Sequence, residues 1–291
     1  MLKVGFLGNC QAQAMESWTS HARDSLEIVN FPAIWLLNEQ DVGKILEDIE
    51  ICDYVFTQRL SDDFTWPDLA TSRLKGEFGS KLISWPNAYF DGYFPGVSYR
   101  YKSDGRILGP LDEYHWDPIE NSFLAGESVD ECVARLNSDA IFELYPDPIA
   151  KSLQRLGDRE VGLDVVISDY IASNLHNQRL FYSMNHPVNS LILEIIERLF
   201  GLIGERKRVS DIGTFGFPLN KIILPVLPSI ASQRHINFSD RDSIKGIKVC
   251  FGDEGYQISD EAEEYDYSSL VECFYKIYEI NARSLNLISQ Y

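Results

Sequence analysis

The sequence is poor in basic residues. Its 291 residues contain 26 Lys and Arg against 44 Asp and Glu, which gives a formal net charge of −18. A chain of this charge is repelled by nucleic acids and by anionic membranes unless it carries a local basic patch. Because no basic run is longer than Arg206–Arg208, we expect no nucleic-acid partner.

Long apolar runs and paired cysteines are also missing. No apolar stretch approaches the ~20 residues that a helix needs to span a bilayer, and the first residues lack the pattern of a cleaved signal peptide. The five cysteines are scattered and form no CxxC pair, which argues against a disulfide framework and a structural zinc site. We expect a cytoplasmic protein with reduced thiols and no membrane span.

Motifs of several enzyme classes are absent. There is no GxGxxG fingerprint, no GK[ST] phosphate loop, no HExxH helix, no HxE…PCxxC pattern and no GxSxG elbow. These absences disfavour a Rossmann dinucleotide site, a P-loop, metal hydrolysis, zinc deamination and a serine nucleophile elbow. We expect no metal site.

The first part of the chain alternates between short apolar runs and helical segments. Candidate strands are "KVGFLG", "LEIVNF", "DYVFTQ" and "KLISWP", and a helical pattern separates the first three. This order predicts an α/β fold with a largely parallel sheet and flanking helices. The remainder is predicted to be mostly helical, with the clearest helical spacing over residues 188–200.

The chain divides, on this pattern, into a core and an extension. We predict an α/β catalytic core over residues 1–205 and a C-terminal extension, packed on the core, over residues 206–291. The core would carry an insertion at residues 86–118 that is rich in Gly, Pro, Asp and Tyr. This insertion is too aromatic for a disordered linker, and its rings, with Tyr89 and Tyr93 among them, would offer a stacking surface for a sugar or adenine. His115 lies in the same insertion and is a further candidate.

Cys10 stands where the first strand turns into the first helix. If the helix begins at Asn9 or Cys10, its dipole and its open N–H groups favour the thiolate and could bind an oxyanion or phosphate. Gly8 would leave room for a ligand, and Asn9 and Gln11 offer amides at the same rim. Open α/β sheets bind ligands at this edge. The alternative is that Cys10 is a small buried residue and Asn9 only a cap.

A second candidate lies in "YSMNHPVN". Pro187 suits the first position of a helix, which makes His186 the predicted N-cap. The positive helix end disfavours an imidazolium, so the neutral ring could act as a base, with Asn185 orienting it or a substrate. The alternative is that His186 only caps a helix and Asn185 makes a turn.

Polar residues also follow the third strand. Gln58 and Arg59 would lie at the same sheet edge as Cys10, where the arginine could hold a phosphate or carboxylate. Arg179 is a second arginine of this kind. A surface ion pair, such as that of Arg59 with Asp62 or Asp63, explains an exposed arginine equally well.

Three segments in this order, "GNCQAQ", "SWPNAYFDGYFP" and "RLFYSMNHP", resemble the WcbI family of bacterial capsule and polysaccharide biosynthesis proteins, which are regarded as coenzyme A-binding acetyltransferases. The resemblance covers residues 1–205. The motif elements of the family fall on the following residues: Gly8, Asn9, Cys10, Gln11, Pro86, Asn87, Gly92, Tyr93, Pro95, Arg179, Leu180, Phe181, Asn185, His186 and Pro187. The strand–Cys–helix opening is also similar to the nucleophile block of SGNH hydrolases, with cysteine in place of serine, and an SGNH- or flavodoxin-like N-terminal part is expected.

The resemblance implies an O-acetyltransferase that moves acetyl from acetyl-CoA to a sugar hydroxyl in capsular or exopolysaccharide biosynthesis. Either Cys10 carries the acetyl group and His186 then activates the hydroxyl, or His186 activates it for direct attack. The residues predicted to bind CoA are Gly8, Asn9, Gln11, Gln58, Arg59 and Arg179. Those predicted to bind the sugar are Asn87, Tyr89, Tyr93 and His115. A cysteine-dependent ester or thioester hydrolase, a non-catalytic carbohydrate- or nucleotide-binding module, and a homo-oligomer stay open.

Overall fold

The structure is a computed structural model that describes residues 1–22, 26–103, 105–205, 216, 219–253 and 255–288. The chain forms two compact units. Unit 1 comprises Met1–Tyr89, Leu153–Ser173 and Asn185–Leu219, and unit 2 comprises Phe90–Ser152, Asn174–Met184 and Asn220–Tyr291. The units interleave along the chain, whereas the predicted division places one boundary at residue 205; that division into catalytic core and extension stays a prediction.

The helices and strands have the following bounds. The strands are β1 (Leu2–Leu7), β2 (Leu26–Val29), β3 (Tyr54–Gln58), β4 (Leu82–Trp85), β5 (Val97–Tyr99), β6 (Tyr101–Lys102), β7 (Gly105–Arg106), β8 (Tyr114–Trp116), β9 (Phe181–Ser183), β10 (His186–Pro187), β11 (Ile244–Gly252) and β12 (Gly255–Tyr265). The helices are α1 (Cys10–Ala22), α2 (Glu39–Ile51), α3 (Thr71–Phe78), α4 (Asp117–Leu124), α5 (Val129–Leu136), α6 (Ala140–Leu144), α7 (Pro148–Glu160), α8 (Ser168–Asn174), α9 (Asn189–Leu202), α10 (Pro228–Gln233) and α11 (Tyr267–Ile288).

Unit 1 is built on a four-stranded parallel sheet with the strand order β2-β1-β3-β4. This confirms the predicted α/β fold with a largely parallel sheet. The strands are short apolar runs, as expected for strands covered on both faces. The chain leaves β1 toward β2 on one side and returns to β3 on the other. The carboxyl ends of β1 and β3 therefore border a topological switch point, where such sheets form a crevice.

Two amphipathic helices of unit 1 were identified from the sequence. Asn38 opens α2, since its Oδ1 accepts the N–H of Gln40 at 2.9 Å and its own N–H donates to Asp41 at 2.9 Å. The buried face of α9 places Phe200 against the sheet, with ring centroids 5.1 Å from Phe56 and 6.5 Å from Phe6. Helical and strand periodicity thus account for this core.

The start of α9 differs from the prediction. Its first residue is Asn189, and the N-cap is Val188, whose carbonyl accepts the N–H groups of Leu191 and Ile192. His186 and Pro187 lie before the helix in the extended segment β10. The predicted N-cap role of His186 is therefore corrected: the proline ring fits extended backbone as well as a first helical turn.

The aromatic insertion supplies much of the core of unit 2. Phe90, Tyr93 and Phe94 are fully buried. The Phe90 ring stacks on Phe181 at 5.3 Å and meets the edge of Tyr93 at 5.1 Å. These rings pack on one another inside unit 2, where the sequence predicted an exposed stacking surface, because large aromatic side chains gain most by burial.

Strands β11 and β12 pair in an antiparallel arrangement, in which Ile244 pairs with Tyr265 and Gly252 with Gly255. The sequence pattern predicted no strands in this segment. Much of β12 is exposed, so it lacks the alternation of apolar and polar residues by which strands are recognised. Among the described residues, no helix has the length and apolar character needed to cross a membrane.

Candidate active site

Cys10 is the first residue of α1, at the carboxyl end of β1. Asn9 caps the helix: its Oδ1 accepts the N–H of Gln11 at 2.9 Å, and its carbonyl accepts the N–H of Ala12 at 2.9 Å. The structure therefore places Cys10 where the sequence predicts it, at a helix start on the carboxyl edge of the parallel sheet.

Burial controls the acidity of this thiol. Cys10 is half-buried, and burial raises the pKa of its thiol to about 11. Hydrogen bonds from the backbone N–H groups of Gln11 and Cys10 lower the pKa by less. The expectation of a thiolate is thus corrected, because desolvation outweighs the effect of the helix start. Most donors of the first turn are already engaged, since the N–H groups of Gln11, Ala12 and Gln13 all donate to Asn9.

Gly8 makes room for protein and not for a ligand. A Cβ at this position would lie 2.8 Å from the Cβ of Gln58 and 3.0 Å from that of Ala12. The absence of a side chain lets Gln58 approach the helix start, where its Oε1 accepts the N–H of Asn9 at 3.0 Å. Gly8 therefore serves the packing of β3 against the start of α1.

The carboxamide of Gln11 joins several separate stretches of unit 1. The two hydrogens on its Nε2 are shared among three acceptors: Asn87 Oδ1 at 3.0 Å, the carbonyl of Ala88 at 3.0 Å and the carbonyl of Asn185 at 2.8 Å. Its Oε1 accepts the N–H of Ala88 at 3.0 Å and Nε2 of Gln58 at 3.4 Å. The predicted residues Gln58, Asn87 and Asn185 are thereby gathered around the start of α1.

The same network brings the two candidate catalytic residues onto adjoining segments. Cys10 precedes Gln11 and His186 follows Asn185, and consecutive Cα atoms lie 3.8 Å apart. The bond between Gln11 and Asn185 therefore holds the two segments together. His186 is half-buried. The thiol stands at a helix start, whereas the imidazole stands on β10 ahead of α9.

Arg59, Arg159 and Tyr89 form a second group in unit 1. The exposed Arg59 donates from its backbone N–H to Trp85 O at 2.8 Å and from Nη1 to Arg159 O at 2.6 Å. Arg159 donates from Nη2 to Tyr89 O at 2.7 Å, and its guanidinium lies 5.5 Å from the centre of the Tyr89 ring. Within the described ranges no carboxylate pairs with Arg59, so the alternative of a surface ion pair does not hold.

Arg159 was missed by the sequence analysis. It lies near the end of α7, 100 residues beyond Arg59 in the chain. The only sequence signal that could have identified Arg159 as a candidate binding residue is its positive charge in an acidic chain, and many surface arginines share that signal.

Two predicted substrate residues lie in the interior of unit 2. The Tyr93 hydroxyl donates to Leu175 O at 2.6 Å. His115 is fully buried; its Nε2 donates to Ile107 O at 2.8 Å and its Nδ1 accepts from the Tyr278 hydroxyl at 3.1 Å. Burial lowers the pKa of His115 to about 4, which keeps the ring neutral. We leave both residues out of the proposed site.

Arg179 is also held within unit 2. Its Nε donates to Asp240 Oδ2 at 2.8 Å, and its Nη1 donates to Leu224 O at 3.0 Å. The side chain is 4% exposed, so its donors face protein acceptors and not an open surface. Arg179 is left out of the proposed site for this reason.

Within the part of the chain that the structure describes, no three His, Cys, Asp or Glu side chains lie together so as to hold a metal ion.

Comparisons with known proteins place this geometry in a family. The family model described as polysaccharide biosynthesis enzyme WcbI matches residues 3–207. A solved structure of WcbI, described as a novel polysaccharide biosynthesis enzyme in its native form without a disulfide bond between coenzyme A and one of its cysteines, is 21% identical to this chain. The match covers 99% of this chain and 95% of the WcbI chain, with a TM-score of 0.74. At this sequence identity the match shows that the two chains share a fold. Curated proteins gave no match. Because the family match spans well over half of the sequence, the chain belongs to the WcbI family of polysaccharide biosynthesis enzymes.

Proposed function

We propose that this enzyme transfers an acetyl group from acetyl-CoA to a sugar hydroxyl during capsular or extracellular polysaccharide biosynthesis. The observation that carries the proposal is the hydrogen bond from Gln11 to Asn185, which joins the segments of Cys10 and His186 at the carboxyl edge of the sheet. A thiol and an imidazole on adjoining segments are the groups that acyl transfer requires. The membership of the WcbI family agrees with a role in polysaccharide biosynthesis.

The residues of unit 1 fit coenzyme A. The nucleotide end of CoA is strongly anionic, and Arg59 offers an exposed guanidinium without a carboxylate partner among the described residues. In a chain of net charge −18, such a local cation is needed to attract a polyanion. The half-buried Tyr89 ring beside Arg159 can stack on adenine. The solved WcbI structure, whose description refers to coenzyme A, supports the same ligand.

Two routes use the same residues. In the covalent route His186 accepts the proton of the Cys10 thiol, and Cys10 takes the acetyl group as its bond to the CoA sulfur breaks; the proton passes to that sulfur. His186 then accepts the proton of the sugar hydroxyl, whose oxygen takes the acetyl group from Cys10; the carbon–sulfur bond to Cys10 breaks, and its sulfur recovers the proton from His186. In the direct route His186 accepts the hydroxyl proton while the oxygen attacks the acetyl carbon of acetyl-CoA; the carbon–sulfur bond to CoA breaks, the CoA sulfur takes the proton from His186, and Cys10 shapes the site.

The acidity of Cys10 bears on the covalent route. With a pKa of about 11 the thiol is protonated at neutral pH, so a base has to take its proton before or during attack. His186 is the proposed base, and Asn185 is proposed to orient its ring or the hydroxyl.

Titration calorimetry with CoA tests the proposal first. We expect saturable binding to the wild-type protein, and the absence of binding would overturn the acetyltransferase assignment. Release of free CoA from acetyl-CoA is then measured with a panel of neutral hexoses as acceptors. His186→Gln should lower turnover about 10²–10⁴-fold, as for loss of a general base. Cys10→Ser separates the routes: it should abolish turnover in the covalent route and largely spare it in the direct one.

A further inference from the structure

No part of the Gln11 side chain is accessible to solvent or to a ligand. Its exposed fraction is 0%. Its Nε2 has three oxygen acceptors and its Oε1 has two N–H donors, all of them protein atoms. A ligand cannot reach this amide, so the CoA-binding role predicted from the sequence is not open to it.

The partners of Gln11 require an uncharged carboxamide in one orientation. Its Oε1 faces the N–H of Ala88, whereas Nε2 faces the oxygens of Asn87, Ala88 and Asn185. A flipped amide would direct an acceptor at three acceptors. A glutamate would keep the two donors at one oxygen but would direct its other, charged oxygen at the three acceptors, and a buried carboxylate oxygen that faces only acceptors is strongly disfavoured.

Each partner belongs to a segment that borders the site. Asn87 and Ala88 follow β4, and Gln58 ends β3. Gln58 also accepts the N–H of Asn9, the N-cap of the helix that carries Cys10. Asn185 is bonded through its carbonyl, one residue before His186. One amide thus fixes the segment of the predicted base against the helix of the thiol.

We propose that Gln11 is a positioning residue that holds His186, through the backbone of Asn185, where it can take the proton of Cys10. This inference rests on the proposed function. The side chain of Gln11 touches neither substrate nor reacting atoms. Its effect is geometric, and a misplacement of about 1 Å between reacting groups can cost about 10²-fold in rate.

Acetylation of Cys10 by p-nitrophenyl acetate tests this inference without CoA or a sugar. Release of p-nitrophenolate gives the rate, peptide mapping identifies the acetylated thiol, and Cys10→Ser supplies the background. The variants are Gln11→Glu, His186→Gln, the double variant, and Gln13→Glu as a matched control. Gln13 is exposed two residues further along the same helix, so its replacement adds the same charge without breaking the network.

We expect Gln11→Glu to slow acetylation of Cys10 about 10–100-fold and Gln13→Glu to leave it unchanged. The double variant should be no slower than His186→Gln alone, because a residue that acts through His186 has nothing further to remove. If the fold-reductions in rate of the two single variants multiply in the double variant, Gln11 acts independently of His186 and the inference is overturned.

Thermal unfolding of each variant accompanies the rates. If Gln11→Glu does not fold, Gln11→Asn keeps an uncharged amide but withdraws it by one methylene, and the same rates are expected of it. If His186→Gln slows the acetylation of Cys10 but either Gln11 variant is acetylated at the wild-type rate, the inference is overturned and the proposed function stands. A wild-type rate in His186→Gln would overturn the inference together with the covalent route, whereas the direct route is then decided by CoA release with the sugar acceptors.

Discussion

Cys10 should react slowly with iodoacetamide at neutral pH, and its rate should rise steeply with pH. Burial raises the pKa of its thiol from the ordinary value of 9.0 to about 11. At pH 7 about one molecule in 10⁴ then carries the thiolate, against about one in 10² for an ordinary thiol, and only the thiolate reacts. The expected rate is therefore about 10²-fold lower than that of an exposed cysteine, before steric protection is added.

Sub-stoichiometric iodoacetamide with peptide mapping between pH 6.5 and 10.5 measures this rate. Cys250 is exposed and serves as the internal reference. We expect Cys250 to be labelled first at pH 7, and the rate at Cys10 to rise about tenfold per pH unit up to pH 10. Labelling of Cys10 ahead of Cys250 at pH 7, with a rate that levels off below pH 8, would refute the reasoning. It would show that the helix start, and not burial, sets the acidity of this thiol.

Three further predictions concern packing, ligand charge and pH. Gly8→Ala should destabilise the protein by about 1–3 kcal/mol in urea unfolding, because a Cβ there meets Gln58 at 2.8 Å. The control Gly43→Ala, in the open interior of α2, should stabilise the protein by about 0.5–1 kcal/mol. Equal changes in the free energy of unfolding for the two variants would contradict the packing role of Gly8. Arg59→Gln should weaken CoA binding about tenfold in calorimetry and reduce the dependence of this binding on salt. The control Arg73→Gln, which removes an arginine that forms a surface ion pair with Asp68, should change neither. An unchanged affinity in Arg59→Gln would remove Arg59 from the site. Burial in the folded state lowers the pKa of His115 to about 4, so the unfolded chain takes up a proton near pH 6.5 that the folded chain does not. This residue should therefore lower the free energy of unfolding by about 3 kcal/mol between pH 7 and pH 4. His115→Gln should flatten that pH dependence, and an unchanged slope would contradict the burial of a neutral ring.

The parallel sheet and the place of Cys10 could be predicted because they depend on local signals. Short apolar runs separated by amphipathic helices are visible in any window of the sequence. The turn from Leu7 to Cys10 follows directly from a strand ending beside a helix start. The predicted start of α9 was wrong because Pro187 is compatible with both extended and helical backbone, and the helix begins at Asn189.

The role of Gln11 and the acidity of Cys10 could not be predicted because they depend on distant partners. The residues bonded to the Gln11 amide through its Nε2 lie 76, 77 and 174 positions away in the chain. From the sequence Gln11 is a polar residue at a helix start, and only the folded chain shows that it is buried. Desolvation of the thiol likewise follows from packing, whereas the dipole of α1 can be read from the sequence.

The aromatic insertion shows the same limit. Its many rings indicated a functional surface, yet Phe90 and Tyr93 are buried in unit 2 while Tyr89 and Asn87 remain with the residues of unit 1. Composition identified the segment as ordered, but it could not show which rings face inward.

A crystal structure with a non-hydrolysable acetyl-CoA analogue would show whether Cys10 and His186 flank the reacting acetyl group. We expect the acetyl carbon beside the Cys10 sulfur and the His186 ring, at about 3–3.5 Å from the group that attacks it, with the anionic end of the analogue toward Arg59. An analogue whose acetyl end binds elsewhere on the chain, away from both Cys10 and His186, would contradict this expectation.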